Sequence, residues 1–535
     1  MKNLFVLIIV VLSPLFCISQ TSPIDWQICF GGSSIEDARS IYQTSDGGYV
    51  VAGTSDSNDG DLSDCVSSSL DYLYYITKLN SLGAIVWHKC FDGYPPEDIN
   101  GNHPVSIIED PEGNLIVAGI KWSNEHSQSP DYKTLDAYVF KLNSSGDMIW
   151  EKFLGGSETD QAFSVINSGD GGYVVACKTQ SDDGDVSGLH SVSRDDAWIV
   201  KLSNDGDILW QNCIGGSSGD LVNSIIRTSD GGFIFCGYTG SNDWDVLGNH
   251  GGADAWVVKL NNSGDIQWQN CYGGRRDEEA NSIFQTSDGG YIFTGTTDSH
   301  DFDVDGIVGL TDAWVVKINN SGDIQWQKCL GGTNYEYGRS IIQNSAGAYI
   351  LAAETWSNNH DVSYNHGCET LYGYCKSDVW IVVLNNDGNI VWEHSYGGTG
   401  NDYPFSIINS SDGGSVFVGY TRSTNYDVVG YHNNGDAWIV SLPSSIGFSK
   451  PFNLSSDISI SPNPSNGFIS ISLSTLQNVN EIKIFDISGR QVYYKKFGNI
   501  LREINLDLSF LQPSSYYIYL STNESIYTSK FCIIH

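Results

Sequence analysis

The sequence of 535 residues contains few basic residues and almost no methionine. Its 27 lysines and arginines stand against 63 aspartates and glutamates, which gives a formal net charge of −36. A nucleic-acid-binding protein needs a basic surface, and an anionic membrane would repel this chain. We therefore expect cations, neutral sugars or proteins as partners and no nucleic acid. An alternative is that the acids only keep a secreted protein soluble.

Long apolar segments are also scarce, with one exception at the start of the chain. In the opening MKNLFVLIIVVLSPLFCISQ, Lys2 supplies a positive charge and residues 4–16 supply an apolar run too short to span a bilayer. This pattern is typical of a signal peptide, and we expect residues 1–19 to be cleaved off before Gln20. The remaining sequence predicts no transmembrane helix, which indicates a secreted or surface protein.

Cysteines number twelve, or eleven after removal of Cys17, so at least one has no partner within the chain. Cys368 and Cys375 bracket the insertion CETLYGYC, where an exported protein can carry a disulfide, and the paired and free states both remain open. Five others each follow a tryptophan by three residues, which indicates small core residues: Cys29, Cys90, Cys213, Cys271 and Cys329.

Glycine is abundant, and much of it belongs to a repeat. The phrase TSDGGYVVAG at residues 44–53 returns as SGDGGYVVAC, TSDGGFIFCG, TSDGGYIFTG and SSDGGSVFVG. Tryptophans mark the same repeat at intervals of 58 to 66 residues: Trp26, Trp87, Trp150, Trp210, Trp268, Trp326 and Trp392. The glycines occupy a turn that needs a positive φ angle.

Each repeat contains four short apolar segments separated by turn residues, as at 279–286, 290–296, 312–318 and 323–329. Four-stranded units of this length are typical of a β-propeller, and seven units predict seven blades. The repeats begin with a lone fourth strand and end with a third strand that lacks its fourth, so we expect the N-terminal strand to complete the last blade.

The predicted fold is therefore all-β. We expect a signal peptide at 1–19, a seven-bladed propeller at 20–442, a linker at 443–456, and a small β-sandwich of immunoglobulin type at 457–535.

Two sets of acids recur in loops that should share one face of the propeller. The first acid set follows the Gly-Gly pairs: Glu36, Asp160, Asp220, Glu278, Glu336 and Asp402. The second acid set lies between the second and third strands: Asp61, Asp185, Asp245, Asp303, Asp361 and Asp427. These acids either bind cations or cap loop amides within their own repeat, and their repetition favours capping. Histidines five residues after the second set allow a metal pair: His190, His250, His366 and His432.

One loop, DFDVDG, resembles the start of a calcium-binding loop, with Asp301, Asp303 and Asp305 as ligands and Gly306 at the bend. It lacks the later glutamate that would complete such a loop. Calcium is the cofactor that this loop suggests, and a solvated turn is the alternative.

Loops that differ between repeats are better candidates for a ligand site. The insertion at 363–378 carries Tyr364, Tyr372 and Tyr374, and Arg275 and Arg276 stand out in so acidic a chain. Exposed tyrosines stack on sugars or anchor protein partners. The alternative is that the sequences of these loops have diverged between repeats without acquiring a function.

The repeat segment VVKLNNSGDIQW also resembles the quinoprotein type of propeller repeat. The resemblance covers two strands of each repeat, and that family usually has eight blades. We take it to support the fold and not a quinone cofactor. The sequence contains no HExxH, Walker or GxGxxG motif, and we expect a protein without enzymatic activity.

The last residues resemble the C-terminal sorting domain of the type IX secretion system of Bacteroidetes. Four segments match in order, at 460–473, 481–497, 504–520 and 528–534. The matching motif residues are Pro462, Asn463, Pro464, Asp486, Gly489, Arg490 and Lys530. One departure is Ser515, where the family often has glycine. The resemblance implies that secretion machinery recognises the tail, which is then removed or used for surface attachment.

These observations predict an exported propeller that binds a glycan or a protein at the surface. A polysaccharide-acting enzyme with acids in the propeller funnel is one alternative, and a structural matrix protein is another.

Overall fold

The computed structural model describes residues 24–65, 73–93, 105–126, 133–191, 194–368, 375–444, 458–461, 465, 467–486, 491–512, 514–522 and 526–533. They fall into two compact units that divide between Ser444 and Ser445. The only helix among them is a 3-10 turn at Gly60–Leu62, so the predicted all-β class is confirmed. No helix in this part of the chain has the length and apolarity needed to cross a membrane.

The first unit is built from short strands bounded by glycine-containing turns. In chain order they are β1 (Trp26–Phe30), β2 (Glu36–Gln43), β3 (Tyr49–Ser55), β4 (Leu73–Leu79), β5 (Ile85–Asp92), β6 (Ser106–Glu109), β7 (Leu115–Ser123), β8 (Thr134–Leu142), β9 (Met148–Leu154), β10 (Asp160–Asn167), β11 (Tyr173–Thr179), β12 (Asp196–Leu202), β13 (Ile208–Ile214), β14 (Asp220–Arg227), β15 (Phe233–Thr239), β16 (Asp254–Leu260), β17 (Ile266–Tyr272), β18 (Glu278–Gln285), β19 (Tyr291–Thr297), β20 (Asp312–Ile318), β21 (Ile324–Leu330), β22 (Glu336–Gln343), β23 (Tyr349–Thr355), β24 (Asp378–Leu384), β25 (Ile390–Tyr396), β26 (Asp402–Asn409), β27 (Ser415–Thr421) and β28 (Asp436–Leu442).

Consecutive strands form four-stranded antiparallel sheets, as the repeat predicts. Sheet 1 contains β2 to β5, sheet 2 β6 to β9, sheet 3 β10 to β13, sheet 4 β14 to β17, sheet 5 β18 to β21 and sheet 6 β22 to β25. Sheet 7 contains β26, β27 and β28, and its fourth strand is β1. The pairing of Trp26 with Ser441 and of Phe30 with Ala437 confirms that the N-terminal strand completes the last sheet.

The first strands of neighbouring sheets contact one another in succession, and β26 of sheet 7 contacts β2 of sheet 1. These inner strands therefore surround one axis. We call the space around this axis the channel. Most of them contain a bulge, such as the register shift between Ala38 and Ser40 in β2. The serine after the bulge accepts a hydrogen bond from the next sheet, as when Ile107 N–H donates to Ser40 Oγ at 3.1 Å.

Tryptophans fill the space between sheets. Those of the third strands are fully buried, at Trp198, Trp256, Trp314, Trp380 and Trp438. Those of the fourth strands cover a hairpin of the following sheet. The Trp210 ring, for example, lies 2.9 Å from the position that a Cβ on Gly264 would occupy. Gly264 also has a φ of +86°, so this turn excludes side chains for two reasons.

The second unit consists of β29 (Ile458–Ser461), β30 (Phe468–Asp486), β31 (Gln491–Asp507), β32 (Ser514–Thr522) and β33 (Ile526–Ile533). All five belong to one hydrogen-bonded sheet, in which β30 pairs with β29, β31 and β32. The pairing of β30 with β31 is interrupted between Ser472 and Gln477. Buried aliphatic side chains form the core of this unit, including Ile471, Ile482, Ile484 and Leu520.

The turn glycines provide a test of sheet-to-sheet packing. Gly264→Ala and Gly248→Ala both place a side chain at a positive φ, which costs about 1 kcal/mol. Only Gly264→Ala forces its Cβ against Trp210 and Asn212 of the preceding sheet, because nothing lies within 4 Å of a Cβ at Gly248. We expect Gly264→Ala to lose about 2 kcal/mol more than the control in denaturant unfolding. Equal losses would show that the contact with Trp210 does not constrain this turn.

Candidate binding face

The loops between second and third strands contact the loops that lead into the first strands. In sheet 3, Gly155 N–H donates to Asp185 Oδ2 at 3.4 Å, and Asp185 N–H donates to the Gly155 carbonyl at 2.8 Å. Equivalent amide-to-carboxylate contacts recur at Asp61, Asp245, Asp303, Asp361 and Asp427. The two acid sets therefore lie on one face of the sheets, which we call the loop face. The second acid set caps amides of its own sheet.

The first acid set is buried below this face. Asp160 accepts hydrogen bonds from Gly156 N–H at 2.8 Å, from Ser181 Oγ at 2.8 Å and from the Thr179 hydroxyl. Its side chain is inaccessible to solvent, as are those of the equivalent acids in the other sheets. These carboxylates hold the Gly-Gly turn and the ends of two strands together. They therefore have the structural role that the repetition favoured.

Histidines join neighbouring sheets, which the sequence did not predict. His190 Nδ1 lies 2.7 Å from Asp196 Oδ2 in its own sheet, and its Nε2 lies 3.4 Å from Asp245 Oδ2 in the next sheet. The same aspartate–histidine–aspartate bridge occurs at His126, His366 and His432, and the last of these reaches Asp61 across the junction of sheets 7 and 1. Each of these histidines thus joins an acid of its own sheet to an acid of the following sheet. A metal pair within one repeat does not describe this geometry.

Burial changes the protonation of these groups. It raises the pKa of Asp160 and of Asp254 to about 6 and that of Asp378 to about 7. Burial opposes protonation of His366, but its hydrogen bond to Asp378 and the charge of Asp427 outweigh burial and raise its pKa. These carboxyls and this histidine therefore bind protons more tightly in the folded chain than in the unfolded chain.

The residues predicted to bind calcium serve three separate contacts. Asp301 Oδ1 accepts from Arg275 N–H at 3.0 Å, Asp303 Oδ2 accepts from Gly273 N–H at 3.3 Å, and the main-chain oxygen of Asp305 accepts from Gln327 at 2.9 Å. Across the described residues, the one group of three potential metal ligands is Asp64, Cys65 and His88. There Cys65 is disulfide-bonded to Cys90 and offers no thiolate. Calcium binding stays a prediction.

The residues predicted to bind a ligand lie on the loop face as far as the structure describes them. Tyr364 is 53% exposed, and its ring meets that of His366 edge to face at 4.9 Å. The Arg275 guanidinium lies 5.5 Å from the centre of the Phe302 ring, and Arg276 pairs with Asp298 at 3.9 Å. Tyr372 and Tyr374 lie outside the described residues.

The cysteines differ in part from the expectation. Cys368 and Cys375 are disulfide-bonded at the base of the insertion. Cys90, interpreted from its position as a free core residue, is instead bonded to Cys65. The equivalent Cys29, Cys213, Cys271 and Cys329 are free and lie among buried or half-buried side chains.

An exposed row of aromatic side chains was missed by the sequence reasoning. Trp244, Phe302, His360 and Tyr426 occupy the same loop position in sheets 4 to 7, directly before the second acid set. All four have left-handed backbones with φ between 53° and 58°, a conformation that residues other than glycine rarely adopt. Sheets 1 and 3 have Gly60 and Gly184 at this position. We call the four residues the aromatic arc.

Three rings of the aromatic arc lie against histidines of the preceding sheet and still face solvent. Trp244 lies 5.4 Å from the His190 ring, Phe302 lies 4.9 Å from His250, and Tyr426 lies 4.9 Å from His366. Trp244, Phe302 and Tyr426 nevertheless remain 71%, 60% and 62% exposed. Their signal in the sequence is an aromatic residue where other repeats have glycine before the Asp of the second set.

The motif residues of the tail are described only in part. Asp486 ends β30, and Lys530 lies in β33 opposite Tyr517. Pro462, Asn463, Pro464, Gly489 and Arg490 lie outside the described residues.

Residues 459–534 match the family described as the secretion system C-terminal sorting domain. The chain is therefore a type IX secreted protein, released or held at the cell surface, and its tail engages secretion machinery. This confirms the resemblance that the tail motifs suggested. Among curated proteins, none matches the chain.

Similar solved structures include propeller proteins of several kinds, all distant in sequence. The WD40 domain of Neurospora crassa Pan2 is 9% identical with a TM-score of 0.41, covering 76% of this chain and 89% of that one. A puromycin hydrolase is 10% identical with a TM-score of 0.45, covering 93% and 62%. The PQQ-bound aldose sugar dehydrogenase of Streptomyces coelicolor is 12% identical with a TM-score of 0.33, covering 64% and 94%.

The protonation of the sheet junctions predicts how stability depends on pH. Carboxyls and histidines whose pKa rises on folding take up protons, so their contribution to stability is lost as pH rises through the folded pKa. Hydrogen bonds from Lys78 and Lys201 lower the pKa of Asp46 and Asp170 to about 2, so that stabilisation is lost below about pH 4. We expect maximal stability at about pH 4 and a decline from there to about pH 7, the range between the unfolded and the folded pKa values of the buried carboxyls.

Urea unfolding of the whole protein from pH 3 to 9 measures this profile. Asp378→Asn removes the group with the pKa of about 7 and should flatten the decline between about pH 4 and 7. A free energy of unfolding that increases over this range would contradict the assignment of protons to the junctions.

Proposed function

We propose that the first unit is a seven-bladed propeller that binds glycans at its loop face without altering them. The aromatic arc is the observation that carries this proposal. It places exposed rings at one position in four successive sheets, in a backbone conformation that glycine adopts more easily. Unfavourable backbone geometry is retained where a side chain is needed at that point.

The chemistry of the arc suits sugars. Exposed aromatic rings present flat apolar faces to the C–H faces of pyranose rings, and each contact adds about 1 kcal/mol. Several rings in a row would contact successive sugar residues of a polysaccharide, so the affinity would be the sum of several weak contacts. The first acid set beneath is buried, and Asp160 of that set accepts three hydrogen bonds from its own sheet and its entry loop.

The cellular location of the protein is the last part of the proposal. We infer that residues 1–19 are a signal peptide, that the source is a member of the Bacteroidetes, and that residues 443–456 link the propeller to the sorting domain. The interruption within β30 would allow its long strands to bend into an immunoglobulin-type sandwich. A binding module delivered to the surface by this route would act in adhesion or in capture of polysaccharide.

Replacing Trp244, Phe302 and Tyr426 together by glycine tests the arc. Glycine is the residue of sheets 1 and 3 at this position, so the fold should be retained. We expect affinity for a polysaccharide that the whole protein binds to fall by about 10- to 100-fold. The measurement is calorimetric titration after a glycan-array screen.

A matched control removes exposed apolar side chains outside the loop face, by Leu82→Ala, Val86→Ala and Leu209→Ala. Its affinity should be unchanged. Binding that survives in the glycine variant, or failure of the whole protein to bind any glycan, would reject the proposal and leave the structural matrix role.

An enzyme acting on polysaccharide is the second candidate, because the channel contains acids that are not repeated in every sheet. Asp37, Glu279 and Glu354 lie on or beside the inner strands, and burial raises the pKa of Glu279 as a catalytic acid requires. Asp37 and Glu354, however, are each paired with an arginine. Chromatography of bound glycans after prolonged incubation distinguishes the two functions, since cleavage would establish the enzyme.

A further inference from the structure

The inner strands place their bulged residues around the channel. The bulges of β2, β10, β14, β18, β22 and β26 contain Arg39, Phe163, Asn223, Asn281, Arg339 and Phe405. Residues from neighbouring sheets meet there: the Arg39 guanidinium lies 4.1 Å from the centre of the Phe405 ring, and Asn223 lies 3.4 Å from Asn281. The bulged position is therefore the part of the repeat that faces the axis, and its chemistry differs between sheets.

One sector of the channel, formed by sheets 6, 7 and 1, combines arginines with aromatic rings. Arg39 uses Nε and Nη2 to contact a single oxygen of Asp37, at 2.7 Å each. The other oxygen of Asp37 accepts from Thr54. The Arg39 guanidinium is thus stacked on Phe405 and fixed by Asp37. Its remaining N–H groups are therefore held in one orientation.

Arg339 is held in a similar way in sheet 6. Its Nη2 donates to Glu354 at 3.0 Å, and its guanidinium lies 5.3 Å from the Tyr337 ring. The second oxygen of Glu354 accepts from the Trp356 indole at 3.0 Å. Arg339 Nε is buried and has no hydrogen-bond acceptor among the described residues. A buried guanidinium N–H without an acceptor is costly unless a ligand or water supplies one.

The mouth of this sector is lined by further rings and a third arginine. Tyr335 is exposed and stacks on Tyr337 with parallel planes at 6.4 Å. Tyr403 stacks on Tyr420 at 4.9 Å, and the exposed Arg422 lies 5.8 Å from the Tyr420 ring. A ligand entering from the loop face would meet flat rings first and guanidinium groups behind them.

The concentration of positive charge here is unusual for this chain. Up to Ser444 the sequence has Arg39, Arg194, Arg227, Arg275, Arg276, Arg339 and Arg422, so three of seven arginines belong to one sector. They face two acids, Asp37 and Glu354, while the chain as a whole carries a net charge of −36. Glu279 also lies near Arg339, and burial raises the pKa of Glu279. The guanidinium groups of the first unit are therefore concentrated in this sector.

We propose that the channel mouth between sheets 6, 7 and 1 binds the carboxylate of an acidic sugar, so that the protein recognises glycans containing uronic acids. Guanidinium groups fixed by stacking present paired N–H donors that match a carboxylate. The rings beside them hold the sugar itself. This inference rests on the proposed function, because the loop face must first bind glycan, and it names the class of glycan.

The test uses the whole protein with oligomers of galacturonate, guluronate and glucuronate, and with their methyl esters, which are neutral. We expect the acids to bind at least about 10-fold more tightly than the esters, and the difference to shrink at high salt. Arg339→Gln with Glu354→Gln removes one pair without leaving a buried charge, and should weaken acid binding about 10-fold.

Arg422→Gln is a second variant whose folding is not in question, because its side chain is exposed, and it should weaken acid binding selectively as well. The matched control, Lys89→Gln with Lys152→Gln, removes two positive charges from the fourth strands β5 and β9, away from the channel and the aromatic arc, and should leave acid binding unchanged.

Acids and esters that bind equally, with affinity lost only in the arc variant, would overturn the channel site and leave the proposed function standing. The same conclusion follows if the control weakens acid binding as much as the channel variants. Failure of every oligomer, neutral or acidic, would overturn both. Thermal unfolding of each variant establishes that it is folded.

Discussion

The buried carboxylate at the start of six of the seven inner strands is the interaction on which the rest of the first unit depends. In sheet 3, the Asp160 side chain accepts hydrogen bonds from a Gly-Gly turn, from a threonine and from a serine. It thereby connects the first strand, the second strand and a loop. The glycines follow from this arrangement, because a Cβ on Gly155 would lie 2.4 Å from Asp160 Oδ2. The acidic composition of the chain is therefore partly a structural requirement of the repeat.

The histidine bridges extend this local arrangement across four of the seven junctions between sheets. Asp196 belongs to one sheet and Asp245 to the next, and His190 contacts both. Such bridges fix the relative position of adjacent loops, and those loops carry the aromatic arc. In sheets 4 and 7 a bridge lies beneath a ring of the arc, at Trp244 and at Tyr426. The contacts that join the sheets and the rings proposed to bind glycan thus use the same loops, with acids facing inward and rings facing outward.

The repeat, the strands and the closing β1 could be predicted from sequence, because each depends on local periodicity and turn chemistry. The histidine partners could not, since the spacing from Asp185 to His190 suggested a pair of those two residues, whereas His190 contacts Asp196 and Asp245. The arc was missed because Trp244 and Tyr426 differ in residue type from Gly60, although each directly precedes an acid of the second set. Their shared left-handed backbone angle makes the equivalence evident. The channel sector depends on bulges that move Arg39 and Arg339 to the axis, and a bulge leaves no mark in the hydrophobic pattern. Cys90 was misread because its partner, Cys65, lies in a loop outside the repeat.

The pairing of β1 with β28 joins residues about 400 positions apart along the chain, as the contact from Trp438 to Gln27 shows. Every other sheet of the first unit is complete within its own stretch of sequence and can form as soon as that stretch is available. Sheet 7 alone must wait until nearly all of the repeats have left the ribosome or the export channel. During that interval β1 is a strand without a partner, and the time for which it stays unpaired is set by the speed of synthesis and transport.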